Sequence, residues 1–219
     1  MNSRSVISID LAPRPGSDLC YRRAECNSYM HAIVACGIFR KEIEKLREDL
    51  GFPFRACYLD PGLHVDFDEL SRALKSELDK CSDSQGIIVV YGECHPKIRE
   101  ILKSHKTVLI DCQNCVDAFM TRKGMENKGK EGLYFYLSPG WLEAWRDIFK
   151  RLNWGQEETR AQLGAFKGAV YMDTLNDAKE HENELLEFFD YTNLPFVIIP
   201  MKLDYFKSLI MNAKESLEA

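Results

Sequence analysis

Three cysteines and one histidine are the residues best suited by type and spacing to do chemistry. They are Cys36 in HAIVACGI, His64 in DPGLHVD, Cys94 in IIVVYGEC and Cys115 in TVLIDCQNC. Thiolate and imidazole are ligands for zinc, for iron–sulfur clusters and for other soft or borderline metals. Each of the four follows a short apolar run of the kind that forms a buried strand. In an open α/β sheet, ligands bind in the crevice outside the carboxyl ends of the strands. Residues far apart in sequence can therefore meet at one sheet edge. Helix N-termini gather at the same edge, and their dipoles favour thiolate.

Size separates the metals weakly. Thiolates on one zinc sit roughly 3.8 Å apart, given a Zn–S bond of about 2.3 Å. Strands one and four of a 2-1-3-4 order stand roughly 10 Å apart, because neighbouring strands are spaced by about 4.8 Å. An iron–sulfur cluster asks for less convergence than a single ion, so the spacing leans towards it over zinc. Three cysteine ligands would leave His64 as the fourth ligand or as a proton donor behind the others. Cys112 and Cys115 form a C-x-x-C pair, also the spacing of a thioredoxin-type redox couple. No second C-x-x-C follows, which argues against a zinc ribbon.

Other candidates rank lower. Gly37 and Gly92 would let backbone approach a bound ligand. With no G-x-G-x-x-G and no P-loop, a nucleotide site has little support. Ser138-Pro139-Gly140-Trp141 opens a helix: its N–H groups could hold an anion, or Ser138 is simply a good cap. Trp141 reads as core or as the lip of a pocket, and Trp145 and Tyr91 as core. Asp173 ends a strand as an acceptor behind a ligand or as a cap. Cys81 reads as a small buried hydrophobe, as buried cysteines often are. His95 and His105 carry no assignment.

Strands and helices must alternate to place these groups. The strands are His31–Ala35, FRACYL (54–59), Ile87–Tyr91 and Val108–Ile110. The helices between and after them are IFRKEIEKLREDLGF, FDELSRALKSELDKC, KIREILKSH and VDAFMTRKG, with Asp66 capping the second and Glu69 at the capping-box position. After a charged loop near 126–131 come the strands LYFYLS, GAVYMD and FVIIPM. Helices PGWLEAWRDIFKRL, GQEETRAQLGAF, DAKEHENELLEFFDYTNL and KLDYFKSLIMNAKESLE interleave with them and close the chain. Alternation of this kind implies the α/β class, with a mostly parallel sheet, helices on both faces and a flavodoxin-like or Rossmann-like order. Residues 1–28 are polar and read as a flexible extension, and 29–219 as a single α/β domain.

The runs IVACGIFRKEIEKL, LHVDFDEL, VVYGEC, NCVDAF and YLSPGWLEAW resemble a bacterial and archaeal domain-of-unknown-function family. Its pattern is A-C-G, L-H, G-x-C, a single cysteine and P-G-W, here at Cys36, His64, Cys94, Cys115 and Trp141. Members are often met beside corrinoid-dependent methyltransferases, so the resemblance implies a corrinoid protein or methyltransferase as partner. Departures are His95-Pro96 in place of a glycine-rich segment, the additional Cys112, and Ile199-Pro200-Met201 at the end of the last strand.

Composition narrows the classes further. A net charge of −5 and pI near 5.6 argue against nucleic-acid binding. No apolar stretch approaches the roughly 20 residues that span a bilayer. No secretory signal is visible either, so a cytoplasmic protein is expected. Eight cysteines in such a chain point to metal or redox chemistry rather than to disulfides. The expected function is thus a metal- or iron–sulfur-binding protein serving methyl, sulfur or electron transfer. The alternatives are a metal or cofactor carrier for a methyltransferase partner, and a metal-free thiol oxidoreductase using Cys112 and Cys115.

Overall fold

The seven strands divide into two parallel sheets in the computed structural model, which describes residues 31–121, 123, 124, 130 and 132–219. The first holds β1 (His31–Cys36), β2 (Phe54–Leu59), β3 (Ile87–Val90) and β4 (Thr107–Leu109), in the order 2-1-3-4. The second holds β5 (Tyr134–Leu137), β6 (Gly168–Asp173) and β7 (Phe196–Pro200), in the order 5-6-7. β1, β3 and β6 are buried along their whole length, as central strands of parallel sheets must be. β2 is buried except at Arg55 and Tyr58, which are half-exposed, and forms an edge.

The α/β class and the 2-1-3-4 order agree with the alternation in the sequence. The continuous sheet does not: β5 pairs with β6 instead of extending β4. β4 has three residues, all half-buried, and offers few ladder hydrogen bonds to a further strand.

The helices are α1 (Arg40–Lys45), α2 (Phe67–Lys80), α3 (Ile98–Leu102), α4 (Pro139–Arg151), α5 (Gln156–Leu163), α6 (Glu182–Thr192) and α7 (Asp204–Glu218). Right-handed crossovers in a 2-1-3-4 order put α1 on one face of the first sheet and α2 and α3 on the other. Asp66 caps α2 by accepting from the Glu69 N–H at 2.9 Å, whereas the Glu69 carboxylate accepts from Arg151.

Several expected helices are shorter. A 3-10 turn at Gly37–Phe39 precedes α1, and turns run from Leu46 to Leu50. α6 starts only at Glu182, after turns at 178–181. The segment after β4 forms turns through Phe119 rather than a helix. There Asn114 Oδ1 accepts from the N–H groups of Val116 and Asp117, and Asp117 Oδ2 accepts from Gln113 N–H. These side chains compete with the helical pattern for the same backbone donors. The expected extension at 1–28 lies outside the described residues, as does the loop at 126–131 apart from Lys130, which sits in a turn.

Elements from both sheets pack together. One face of β6, with Val170 and Met172, joins the core of the first sheet. The other, with Ala169 and Tyr171, packs against Trp145 and Phe188. α7 returns to the first sheet, where Phe206 stacks on Phe39 at 5.3 Å. α4 begins directly on the turn after β1: a Cβ at Gly140 would stand 2.2 Å from the Ile38 carbonyl oxygen. Only a residue without a side chain permits that approach. Among the described residues no helix is long and apolar enough to cross a membrane.

Candidate functional site

The carboxyl edge of the first sheet gathers four sulfurs. Cys36 ends β1, Cys94 follows the exit of β3, and Cys112 and Cys115 lie on the loop after β4. The exits of β3 and β4 are tied together where Glu93 N–H donates to the Gln113 carbonyl at 2.8 Å. Gly92 lets these two backbones touch, since a Cβ there would stand 2.5 Å from the Asn114 Cα. Gly37 does the same for the exits of β1 and β2, its would-be Cβ lying 2.8 Å from the Leu59 carbonyl oxygen. The close approach both glycines allow is to neighbouring backbone.

The sulfurs stand near enough to act on one another. Burial raises the Cys36 pKa, and Cys115 and Cys94 raise it further. Burial likewise raises Cys115, to about 11, with Cys94 adding to it and the Trp141 indole opposing. Cys112 is pushed up by burial and by Cys94, Cys115, Asp117 and Asp111. Cys94, half-buried, is raised by burial. Each group disfavours charge for the same leading reason: burial leaves an anion in low dielectric, and the hydrogen bonds that oppose this, such as that from the Trp141 indole to Cys115, do not outweigh it.

Aromatic groups enclose the sulfurs. Trp141 Nε1–H donates to Cys115 Sγ at 3.4 Å, so the first turn of α4 reaches from the second sheet to the cluster on the first. Ser138 Oγ caps that helix by accepting from Trp141 N–H at 3.3 Å, and Trp145 is core. The Tyr91 hydroxyl is buried beside Cys36 without a well-formed hydrogen bond. His64 lies in the turn Pro61–Val65, its ring centroid 5.7 Å from that of Trp141. Its Nδ1 donates to the Pro61 carbonyl at 2.5 Å, so in the neutral ring it is Nε2 that carries the lone pair.

The structure thus brings Cys36, Cys94 and Cys115 together, with Trp141 against Cys115 and His64 against Trp141. Cys112 joins them, its S–H donating to the Tyr91 carbonyl at 3.5 Å. Among the described residues, no three of His, Cys, Asp and Glu stand at metal-ligand spacing. Asp173 closes the loop after β6, its Oδ1 accepting from Asp177 N–H at 3.0 Å.

Sequence reasoning missed Cys57 and Glu42. Cys57 on β2 faces Cys81 with sulfurs 3.8 Å apart. Cys81 continues the buried stripe Leu70, Leu74, Leu78 of α2, a periodicity that could have paired it with the buried face of β2. Glu42, buried on α1, accepts from the Thr174 hydroxyl at 2.7 Å across the two sheets. A carboxylate 132 residues from its partner leaves no mark in the local pattern.

These features define an α/β protein with a partly buried thiol cluster at the carboxyl edge of its larger sheet. The chain belongs to the family described as Protein of unknown function (DUF1638), whose model matches residues 58–210. His64, Cys94, Cys115 and Trp141 lie within that span and Cys36 before it. No curated protein and no solved structure matches the chain.

Proposed function

We propose that the chain binds a metal ion or an iron–sulfur cluster through Cys36, Cys94 and Cys115, with His64 Nε2 as fourth donor. The observation that carries this reading is the gathering of the three sulfurs, from three strand exits, at one sheet edge. The residues present fit such a group in donor type. A soft cation would supply the positive charge that the thiols otherwise lack, and coordination deprotonates a thiol outright. The Tyr91 hydroxyl, buried beside Cys36, is a ready donor to a sulfur or to a ligand of the metal. A histidine that donates Nδ1–H to a carbonyl has the tautomer and orientation that metal-binding histidines commonly show. Since the sulfurs are not at ligand spacing, binding requires their side chains to turn inward.

When bound, such a group would supply a Lewis-acid or electron-transfer centre. The resemblance to proteins met beside corrinoid methyltransferases supplies the context, a cytoplasmic role in methyl, sulfur or electron transfer with a corrinoid protein or methyltransferase as partner. The metal-free oxidoreductase is less well supported. An attacking thiol needs a depressed pKa, and Cys112 and Cys115 are both raised.

Anaerobic reconstitution with iron and sulfide, or with zinc, followed by elemental analysis and visible absorption, tests the reading. Wild type should bind stoichiometrically, with broad visible absorbance for a cluster and none for zinc. Cys36→Ser, Cys94→Ser and Cys115→Ser should each weaken binding at least about tenfold, the cost typical of losing even a ligand's supporting group. Cys81→Ser should not. Absence of binding by wild type, or equal binding by all variants, would overturn the proposal. Ready exchange of the bound metal would identify a carrier.

A further inference from the structure

A second sulfur pair lies within the first sheet, on β2 rather than at the strand exits. Cys57 Sγ and Cys81 Sγ are 3.8 Å apart and both residues are buried. Arg55, two positions before Cys57, donates from Nη2 to the Lys80 carbonyl at 2.8 Å and to Asp83 at 3.0 Å. Its guanidinium is thereby held beside Cys81, where its charge favours the thiolate. A thiol, its intended partner and a fixed cation are the parts of a reactive dithiol. None of them belongs to the strand-end cluster.

We propose that Cys57 and Cys81 form a reversible disulfide, made by reaction with a small peroxide. Two ordinary core cysteines in contact would show the distance without the arginine. Here the cation and the neighbouring S–H both favour thiolate at Cys81. The hydrogen bond from Cys57 is the larger influence, Arg55 adds to it, and together they bring the Cys81 pKa down to about 7 despite burial.

In the first step the Cys81 thiolate sulfur attacks one peroxide oxygen. The O–O bond breaks, hydroxide leaves, and Cys81 becomes a sulfenic acid. The Cys57 sulfur then attacks the Cys81 sulfur and the S–O bond breaks. Water departs with the Cys57 proton, and the S–S bond is formed. Two thiols lose two electrons to the peroxide, which ends as two waters. The sulfurs must close from 3.8 Å to about 2.05 Å, which side-chain rotation can provide.

Access follows from position. Cys81 is the first residue after α2, and Ser82 and Asp83 beyond it are exposed. Fraying of the last helical turn, the lowest-energy local opening of a helix, admits a molecule the size of hydrogen peroxide. The ring so closed contains the turn Pro61–Val65 and with it His64. Oxidation would therefore tether both ends of the segment that presents His64 to Trp141.

The test uses the full chain. Metal-free wild type is treated with hydrogen peroxide at pH 7, blocked with an alkylating agent, and digested with trypsin plus a glutamate-specific protease. The second cut, at Glu93, separates Cys81 from Cys94. Mass spectrometry should find Cys57 joined to Cys81, and a dithiol reductant should restore both thiols. Cys57→Ser should leave Cys81 as a sulfenic acid trapped by a cyclic 1,3-dione, while Cys81→Ser should leave Cys57 unmodified. Arg55→Gln should slow the first step about fivefold, since a rise of one pKa unit takes the ionised fraction at pH 7 from about half to about a tenth. The proposal fails if Cys57 and Cys81 stay alkylatable in oxidised wild type, or if they are found only in bonds to other cysteines. Because the wild-type map needs no variant, misfolding of a mutant cannot mask either result.

Discussion

The strand-end cluster and the Cys57–Cys81 pair place the same side chain in two opposite electrostatic settings. Cys36, Cys112 and Cys115 face other thiols, with aspartates beside Cys112, and their pKa values rise. Cys81 faces a hydrogen-bond donor and Arg55, and its pKa falls. Burial opposes charge in both places and is the largest influence on Cys36, Cys112 and Cys115, whereas at Cys81 the Cys57 hydrogen bond outweighs it and Arg55 adds to the lowering. On the proposed reading a partly buried thiol cluster is completed by a cation from outside, whereas a thiol with an arginine beside it can ionise on its own.

The largest expected effect follows directly. With pKa values of about 7 and about 11, Cys81 and Cys115 differ several-thousandfold in ionised fraction at neutral pH. Titration of the ultraviolet thiolate absorbance should show a step near neutrality that Cys81→Ser removes and Cys115→Ser leaves in place. If Cys115→Ser removed it, the comparison would be inverted.

Glu42 extends the comparison to a carboxyl. Burial raises its pKa to about 7, against lowering by the Thr174 hydrogen bond, and its Oε2 has no hydrogen-bond partner. The folded protein therefore holds a proton there that the unfolded chain releases above its ordinary value of 4.5. The associated stability is complete below that value and is lost as pH rises through about 7. The span amounts to about 3 kcal/mol. Glu42→Gln should flatten the decline in thermal stability between pH 5 and pH 8, and raise the midpoint at pH 8. An unchanged pH profile would show that Glu42 is not desolvated in solution.

Gly140→Ala should separate the two sulfur groups by a structural route. The added methyl meets the Ile38 backbone, and overpacking of this kind costs about 2 kcal/mol. The disturbance falls on α4 and Trp141, which cover the cluster. Alkylation of Cys115 should accelerate while that of Cys57 and Cys81 stays as in wild type. Equal acceleration at all sites would mean that the substitution loosens the whole fold.

What the sequence displayed of this arrangement, and what it hid, divides along the same line. Cys36, Cys94 and Cys115 were visible because each ends a buried apolar run, and parallel strands deliver their exits to one edge. Trp141 was visible as the residue after a Pro-Gly helix start. The division into two sheets was not, because β4 and β5 look alike as short apolar runs and nothing local says whether two strands pair. The turns after β4 were hidden by Asn114 and Asp117, whose side chains take backbone donors that a helix would use. Cys57 and Cys81 carry periodicities that placed each of them in a core. Their contact depends on how far along β2 the last turn of α2 reaches, which is a matter of packing.

Trp141→Phe gives the smallest expected effect and the finest reading of the cluster. It keeps the ring against His64 and Phe135 and removes only the N–H that donates to Cys115 Sγ. A hydrogen bond of this kind contributes about 1 kcal/mol. If the bond serves the metal-bound thiolate, the loss should appear as a roughly fivefold weaker metal affinity, with the thermal midpoint of the metal-free protein nearly unchanged. If it serves the thiol alone, the midpoint should fall and the affinity should stay. The two outcomes distinguish a tryptophan that tunes a ligand from one that merely closes the lid of a core.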